Sequence, residues 1–383
     1  MKKTHALSRR AVLAGAVAVP VLATPMLARA QAPRWKWDLP AGYPATNFHS
    51  VNLIQFAKDV RDATGGQLEI TVHAGASLFR VPEIMRAVQT GQAQIGELLM
   101  VVLENEDAMF GADNVPFLAT SFQQARRLAD LQIPYIERRL NSRGVRYLFS
   151  VPWPPQGFYS PKALAVPEDL RGLSFRSYGA SAGRFAELAG MRVTTVQAAE
   201  LAQAFSTGRV NSMISSGATG FDAKLWEHVK FYYDVQAWLP KNMIMVNQRS
   251  WATLPANVQN VVTQAARVAE ARGWAESQRL DRTFLDAFRQ NGMTVSEPSD
   301  ALRAGFRRWG EELSRDWLTR AGADGQALVN AFRAASLRGI RRRPAETLRR
   351  PFSFGGRKRS CDARSTRSTT VRPGSPAWRC WRS

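Results

Sequence analysis

Cysteine is almost absent from this 383-residue sequence: Cys361 and Cys380 are the only two, and both lie beyond residue 337. A body without cysteine neither needs a disulfide nor risks a wrong one, so the thiol count permits export without demonstrating it. Histidine is sparse too, with four residues. His5, His49, His73 and His228 each stand without a second metal-binding type at useful spacing, so no metal is expected. The sequence has no G-x-S-x-G elbow, P-loop or dinucleotide fingerprint, which removes the usual marks of a serine hydrolase or a nucleotide enzyme. No catalytic residue and no cofactor are expected. A hydrolase assembled from distant residues would leave no such mark.

Charge balance needs its position along the chain before it can be read. The formal net charge is +21, a value that invites a nucleic-acid partner. Residues 1–30 carry +5 and residues 338–383 carry +12, which leaves +4 for residues 31–337. The basicity therefore belongs to the ends, and no nucleic-acid partner is expected for the body. The final segment is rich in Arg, Ser, Thr and Pro and lacks helical or strand periodicity, so disorder is expected there. It reads either as a basic interaction arm or as the product of a shifted reading frame.

At the other end, Ser8-Arg9-Arg10-Ala11-Val12-Leu13 resembles a twin-arginine export motif, followed by the apolar run Ala14–Leu22 and the small-residue site Ala28-Arg29-Ala30. The expectation is a signal peptide over 1–30, cleaved near Ala30 to release a periplasmic protein. The apolar run is too short for a permanent span and no later one is longer. Twin-arginine and general secretory export both remain open.

The body is long enough for two domains with real cores, and 45% of the whole sequence is hydrophobic. Trp35–Leu39 and Leu68–Val72 alternate as strands around a helical stripe from Phe48 to Ala63. Further helices are expected over Pro82–Val88 and over Ser121–Leu140, the latter interrupted at Pro134. Ile95-Gly96 reads as a short strand feeding Glu97, which is placed to accept a ligand hydroxyl or amine, or else pairs with a nearby base. Prolines in Val151–Pro155 cannot continue a central strand, and they mark a first crossing between lobes. A second is expected near Pro240. From Pro255 to Gln290 the apolar pattern describes one long helix or two abutting ones, and Ser299–Phe332 two helices broken at Gly322–Gly325.

Residues 167–222 organise the rest. Leu173 and Phe175 read as a short buried strand that ends on Arg176, with Ser177 beside it. Helical and strand patterns then alternate through Phe205, implying βαβ units. Ligands of open α/β sheets gather at the carboxyl ends of strands, and a guanidinium matches a carboxylate with two parallel hydrogen bonds. Arg176 is thus the leading ligand-binding candidate; its alternative is a structural pair with Glu168 or Asp169. Ser215 and Ser216 either donate to the ligand or complete a tight turn.

The segments PEDLRGLSFR and ELAQAFSTGRVNSM resemble the ligand-binding core of solute-binding proteins of tripartite ATP-independent periplasmic (TRAP) transporters, dicarboxylate-binding type. GGQLEITVHAGASLF, EIMRAVQTGQAQIGE and the segment Phe231–Leu254 extend the resemblance over roughly residues 35–335. It implies a two-lobed α/β fold with mixed sheets flanked by helices and a long helix bridging both lobes. Lobe 1 would comprise residues 31–153 with about 241–280, and lobe 2 residues 154–240 with about 281–337. It also implies hinge closure on an organic acid, membrane permease subunits as partners, ligand contacts in the Pro40–Pro44 loop, and a second cation at Lys162, which otherwise reads as a solvated surface lysine. Relatives often carry D-G-x-E where this chain has Asn211-Ser212-Met213-Ile214, and Ile214 cannot hold a cation. They also end soon after a helix like Gln326–Ala335, which favours the shifted frame for the tail. The competing readings are the binding protein of an ATP-driven importer and a secreted enzyme acting on small acids.

Overall fold

The structure, a computed structural model, describes residues 32–341, the last five as backbone only. The export segment, its cleavage site and most of the basic tail lie outside the described residues. Strand β1 (Trp35–Pro40) leads through helix α1 (Phe48–Ala63) to β2 (Leu68–His73), its parallel partner. The Asn47 side chain opens α1 by accepting from the backbone N–H of His49 at 2.9 Å, which satisfies one of the donors a helix start leaves free. Helix α2 (Val81–Thr90) stops at Gly91, whose φ of 80° is left-handed. It delivers β3 (Ile95–Leu99), so Glu97 lies in the middle of a strand rather than after one.

Helix α3 (Phe122–Asn141) runs unbroken through Pro134. The expected interruption is overridden because Gln132, Ile136 and Leu140 bury one face on both sides of the proline. Strands β4 (Val145–Pro152) and β5 (Gln156–Ser160) follow. Next come β6 (Ser174–Ser177), α4 (Ala180–Leu188), β7 (Arg192–Thr195), α5 (Leu201–Ser206), β8 (Ser212–Ser216) and α6 (Gly217–Asp222). The chain closes with β9 (Phe231–Tyr233), β10 (Lys241–Asn247), α7 (Gln248–Ala252), α8 (Ala256–Gln290), β11 (Thr294–Ser296) and α9 (Asp300–Arg341). Gly322 kinks α9 with φ 59° and ψ −141°, and the helix runs four residues into the segment expected to lack structure.

Two separate sheet systems make the fold two-lobed. One holds β3-β10-β4, with the β1-β2 pair packed beside β3, and the other holds six strands in the order β11-β9-β5-β8-β6-β7. The second sheet is mixed: β6 runs parallel to β7 and β8, while β5 is antiparallel to β8 and β9. Strand β10 returns from the second system to pair antiparallel with both β3 and β4. The chain therefore crosses between systems at 153–155 and again at 234–240, and the two crossings are laced together. Trp153 N–H donates to Pro240 O at 2.8 Å and Gln156 N–H to Trp238 O at 3.0 Å.

Helix α8 braces the crossing. Its buried stripe begins Val258, Val262, Ala265, Ala269 and Gly273 and ends at Phe284 and Phe288, the spacing of one helical face. Asn52 of α1 donates to Ala269 O at 2.9 Å, and Trp274 donates to Ser150 O of β4 at 2.9 Å. Farther along, Phe288 packs edge-on against Tyr159 of β5, 5.8 Å between centroids. One helix thus packs on both sheet systems.

Candidate functional site

Arg176 occupies the third position of β6, between Thr194 of β7 and Met213 of β8. Strand ladders fix its backbone, and the parallel order brings its side chain near the carboxyl ends of β6 and β7. The residue is 4% exposed. Its Nε donates to Val196 O at 2.8 Å, and the guanidinium carbon lies 5.1 Å from the centre of the Tyr178 ring. Among the described residues no carboxylate lies within ion-pair range of it. Asp169 instead accepts the backbone N–H groups of Ala165 and Val166, at 2.7 and 3.0 Å. Burial lowers the Arg176 pKa to about 10, so the group stays charged at neutral pH. An ionised guanidinium held out of water without a counter-ion costs several kcal/mol, a cost that an anionic guest would offset.

A cavity stands beside it. Tyr43, Leu99, Val102 and Trp153 line one side, and Gln156, Tyr178, Gln197, Ser215 and Thr219 line the other together with Arg176. About 490 Å³ of space lies between these walls, part of it open to solvent.

The polar wall is pre-ordered. Trp238 Nε1 donates to the Tyr178 hydroxyl at 2.9 Å and Asn114 Nδ2 donates to it at 3.3 Å. Gln156 Nε2 donates to Pro154 O at 3.0 Å, which leaves its Oε1 with a single long contact of 3.5 Å from the Tyr178 hydroxyl. On the facing wall Trp153 Nε1 donates to Asn242 Oδ1 at 2.9 Å. Asn242 Nδ2 in turn donates to Glu97 Oε1 at 2.9 Å.

The candidate residues fall in different places. Arg176 and Ser215 line the cavity together. Ser177 is spent locally, its hydroxyl donating to Gly179 O at 2.6 Å. The Ser216 oxygen opens α6 by accepting from Thr219 N–H at 3.3 Å. Glu97 is 1% exposed and sits one layer behind the wall. It is 3.6 Å from His49 Nδ1, but burial holds that imidazole far below its ordinary pKa, so the contact joins a carboxyl to a neutral ring and is too long for a hydrogen bond. Lys162 is exposed in the turn after β5 and does not line the cavity. Ile214, at the position where relatives carry an acid, belongs to the apolar core. Tyr43, Trp153, Gln156, Tyr178, Gln197 and Thr219 were not singled out from sequence. Tyr43 does lie in the Pro40–Pro44 loop where ligand contacts were expected, and Trp153 in the first crossing.

Two lobes joined by laced crossings, with a charged side chain that has no carboxylate partner among the described residues standing beside a cavity, define a solute receptor of the periplasmic-binding-protein type. Residues 44–320 match the family described as bacterial extracellular solute-binding protein, family 7 (DctP), and the chain belongs to that family. It is similar to DctP6, a Bordetella pertussis extracytoplasmic solute receptor binding pyroglutamic acid: 45% identity, TM-score 0.77, covering 78% of this chain and 99% of that one. A marine metagenome TRAP solute-binding protein specific for pyroglutamate is 42% identical with the same TM-score, covering 78% and 98%. A solute-binding protein of Verminephrobacter eiseniae is 26% identical over 267 residues, 68% of this chain and 78% of that one.

Proposed function

We propose that this chain is the periplasmic receptor of a TRAP-type transporter, closing on one small organic acid and passing it unchanged to membrane permease subunits. The acid's carboxylate pairs with Arg176, and Ser215 and Thr219, which line the same cavity, add hydroxyl contacts. Pyroglutamate is the first candidate. The observation that carries this reading is Arg176 itself, buried, ionised and without a carboxylate partner among the described residues, at the wall of the cavity.

Similarity supports the ligand class: two solute receptors that bind pyroglutamate are 45% and 42% identical to this chain. Gln156 Oε1, its amide orientation fixed by Pro154, is free to accept the N–H of a lactam. Among the described residues no helix is long and apolar enough to cross a membrane, and membrane subunits would do the translocation.

A thermal-shift panel tests the reading. A ligand that binds only the folded state adds about 2.7 kcal/mol at a hundred times its Kd. Pyroglutamate should raise the melting temperature, and glucuronate and galacturonate should leave it unmoved. A panel in which no small carboxylate produces a shift would overturn the assignment.

A further inference from the structure

A second carboxylate touches the ligand-bearing strand-and-helix unit from across the cleft. Glu104 follows the 3₁₀ turn Met100–Leu103 that leaves β3, on the three-stranded sheet's side of the molecule. It is 2% exposed. Its Oε1 accepts the backbone N–H of Ser181 at 2.5 Å, and its Oε2 accepts the Ser181 hydroxyl. Ser181 is the second residue of α4, the helix that follows β6, Arg176 and Tyr178 on the six-stranded side. The cap position of α4 is Gly179, which supplies no side chain to its free N–H groups. A carboxylate from the opposite lobe takes that place, where helix dipole and charge agree.

Both partners lie within three residues of the cavity wall, Glu104 two after Val102 and Ser181 three after Tyr178. Gly111 makes room for the arrangement: a Cβ there would stand 2.7 Å from Glu104 Oε2. An ion pair between the same parts, Arg80 Nη2 to Glu200 at 3.4 Å, joins side chains 72% and 45% exposed, and such surface pairs contribute little. The Glu104 contact is buried, with two hydrogen bonds to one carboxylate, which makes it stronger than a surface pair; Asn47 Nδ2, donating to Asp222 Oδ2 at 2.6 Å, is a second polar contact between the same parts.

We propose that Glu104 is a positioning residue for ligand binding: it caps α4 from the opposite lobe only when the lobes are shut, and so holds Arg176 and Tyr178 against the facing wall. The inference rests on the reading above that the lobes part to admit an acid. Its effect belongs in the dissociation rate, because the contact forms after encounter.

The test compares the full chain with Glu104→Met, which keeps length but removes both acceptors, and Glu104→Gln, which keeps two neutral hydrogen bonds. The probe is pyroglutamate. For Glu104→Met, dissociation should quicken at least about ten-fold, the loss of one charge-assisted hydrogen bond, with association within about three-fold. Glu104→Gln should recover part of the loss. The unliganded melting temperatures should match wild type, since an open receptor does not use the contact. Amide exchange at Ser181 reports the contact directly, because a first-turn N–H has no partner inside its own helix. It should be protected only when pyroglutamate is present. Equal destabilisation of free and bound forms, with an unchanged dissociation rate, would make Glu104 a permanent cap and overturn the proposal. Should wild type fail to bind pyroglutamate, the ligand assignment fails separately. Free-protein exchange at Ser181 then decides alone: unprotected supports the latch, and protection lost in Glu104→Met overturns it.

Discussion

Glu97 shows how a residue can be buried behind a cavity wall without lining the cavity. Burial pushes its carboxyl from an ordinary 4.5 up to about 7, and the hydrogen bond from Asn242 works against that rise. The folded state therefore keeps a proton that the unfolded chain has already released. Stability that is fully present below about pH 4.5 is lost progressively as pH rises to about 7, up to roughly 3 kcal/mol. Glu97→Gln retains an acceptor for Asn242 and cannot titrate. Denaturant midpoints measured from pH 4.5 to 7 should fall with pH in wild type and fall less in the variant; equal slopes would show that Glu97 does not titrate in this window. The same residue shows what the sequence hid. A carboxylate after Ile95-Gly96 looks like a strand end facing ligand, because its buried partner, Asn242, stands 145 positions away. Arg176 was legible since a charged residue closing an apolar strand breaks the local pattern. Tyr43, Trp153 and Tyr178 were not, because an aromatic residue lining a cavity has the same sequence signature as one packed in a core.

At the level of elements, α8 decides how the two sheet systems are held. Its closest approach is at Gly273, where an added Cβ would stand 2.5 Å from Val151 Cγ2 and 2.8 Å from Asn52 Nδ2. On helix propensity alone Gly273→Ala should stabilise by about 1 kcal/mol. Overpacking against β4 and α1 should outweigh this and destabilise by about 1–3 kcal/mol, read from equilibrium denaturation. A net gain in stability would mean that the helix is free to shift away from β4. The apolar period from Pro255 to Gln290 left one helix or two open; the single helix holds because the buried face turns without a break from Val258 to Phe288. Pro134 misled for the opposite reason, a local breaker overruled by tertiary packing on both sides. The kink at Gly322 was visible, since a glycine pair around Ala323-Asp324 favours left-handed backbone that other residues avoid.

For the whole molecule, motif order along the chain was enough to imply two lobes with a helix across both, but the pairing of strands was not. That β10 leaves the six-stranded system to sit between β3 and β4 depends on contacts that no local window contains. Neither does sequence reveal that the Arg176 guanidinium and the facing aromatic wall line one cavity, since they come from different lobes. The account stands on that meeting point, and calorimetric titration of pyroglutamate tests it most directly, with pyroglutamide, which lacks the carboxylate charge, as comparison. Wild type should bind pyroglutamate one to one and pyroglutamide at least about a hundred-fold more weakly; Arg176→Ala should lose a similar factor for pyroglutamate while its unliganded melting temperature stays near that of wild type. Binding by Arg176→Ala within a few-fold of wild type, or equal affinity for acid and amide, would contradict it.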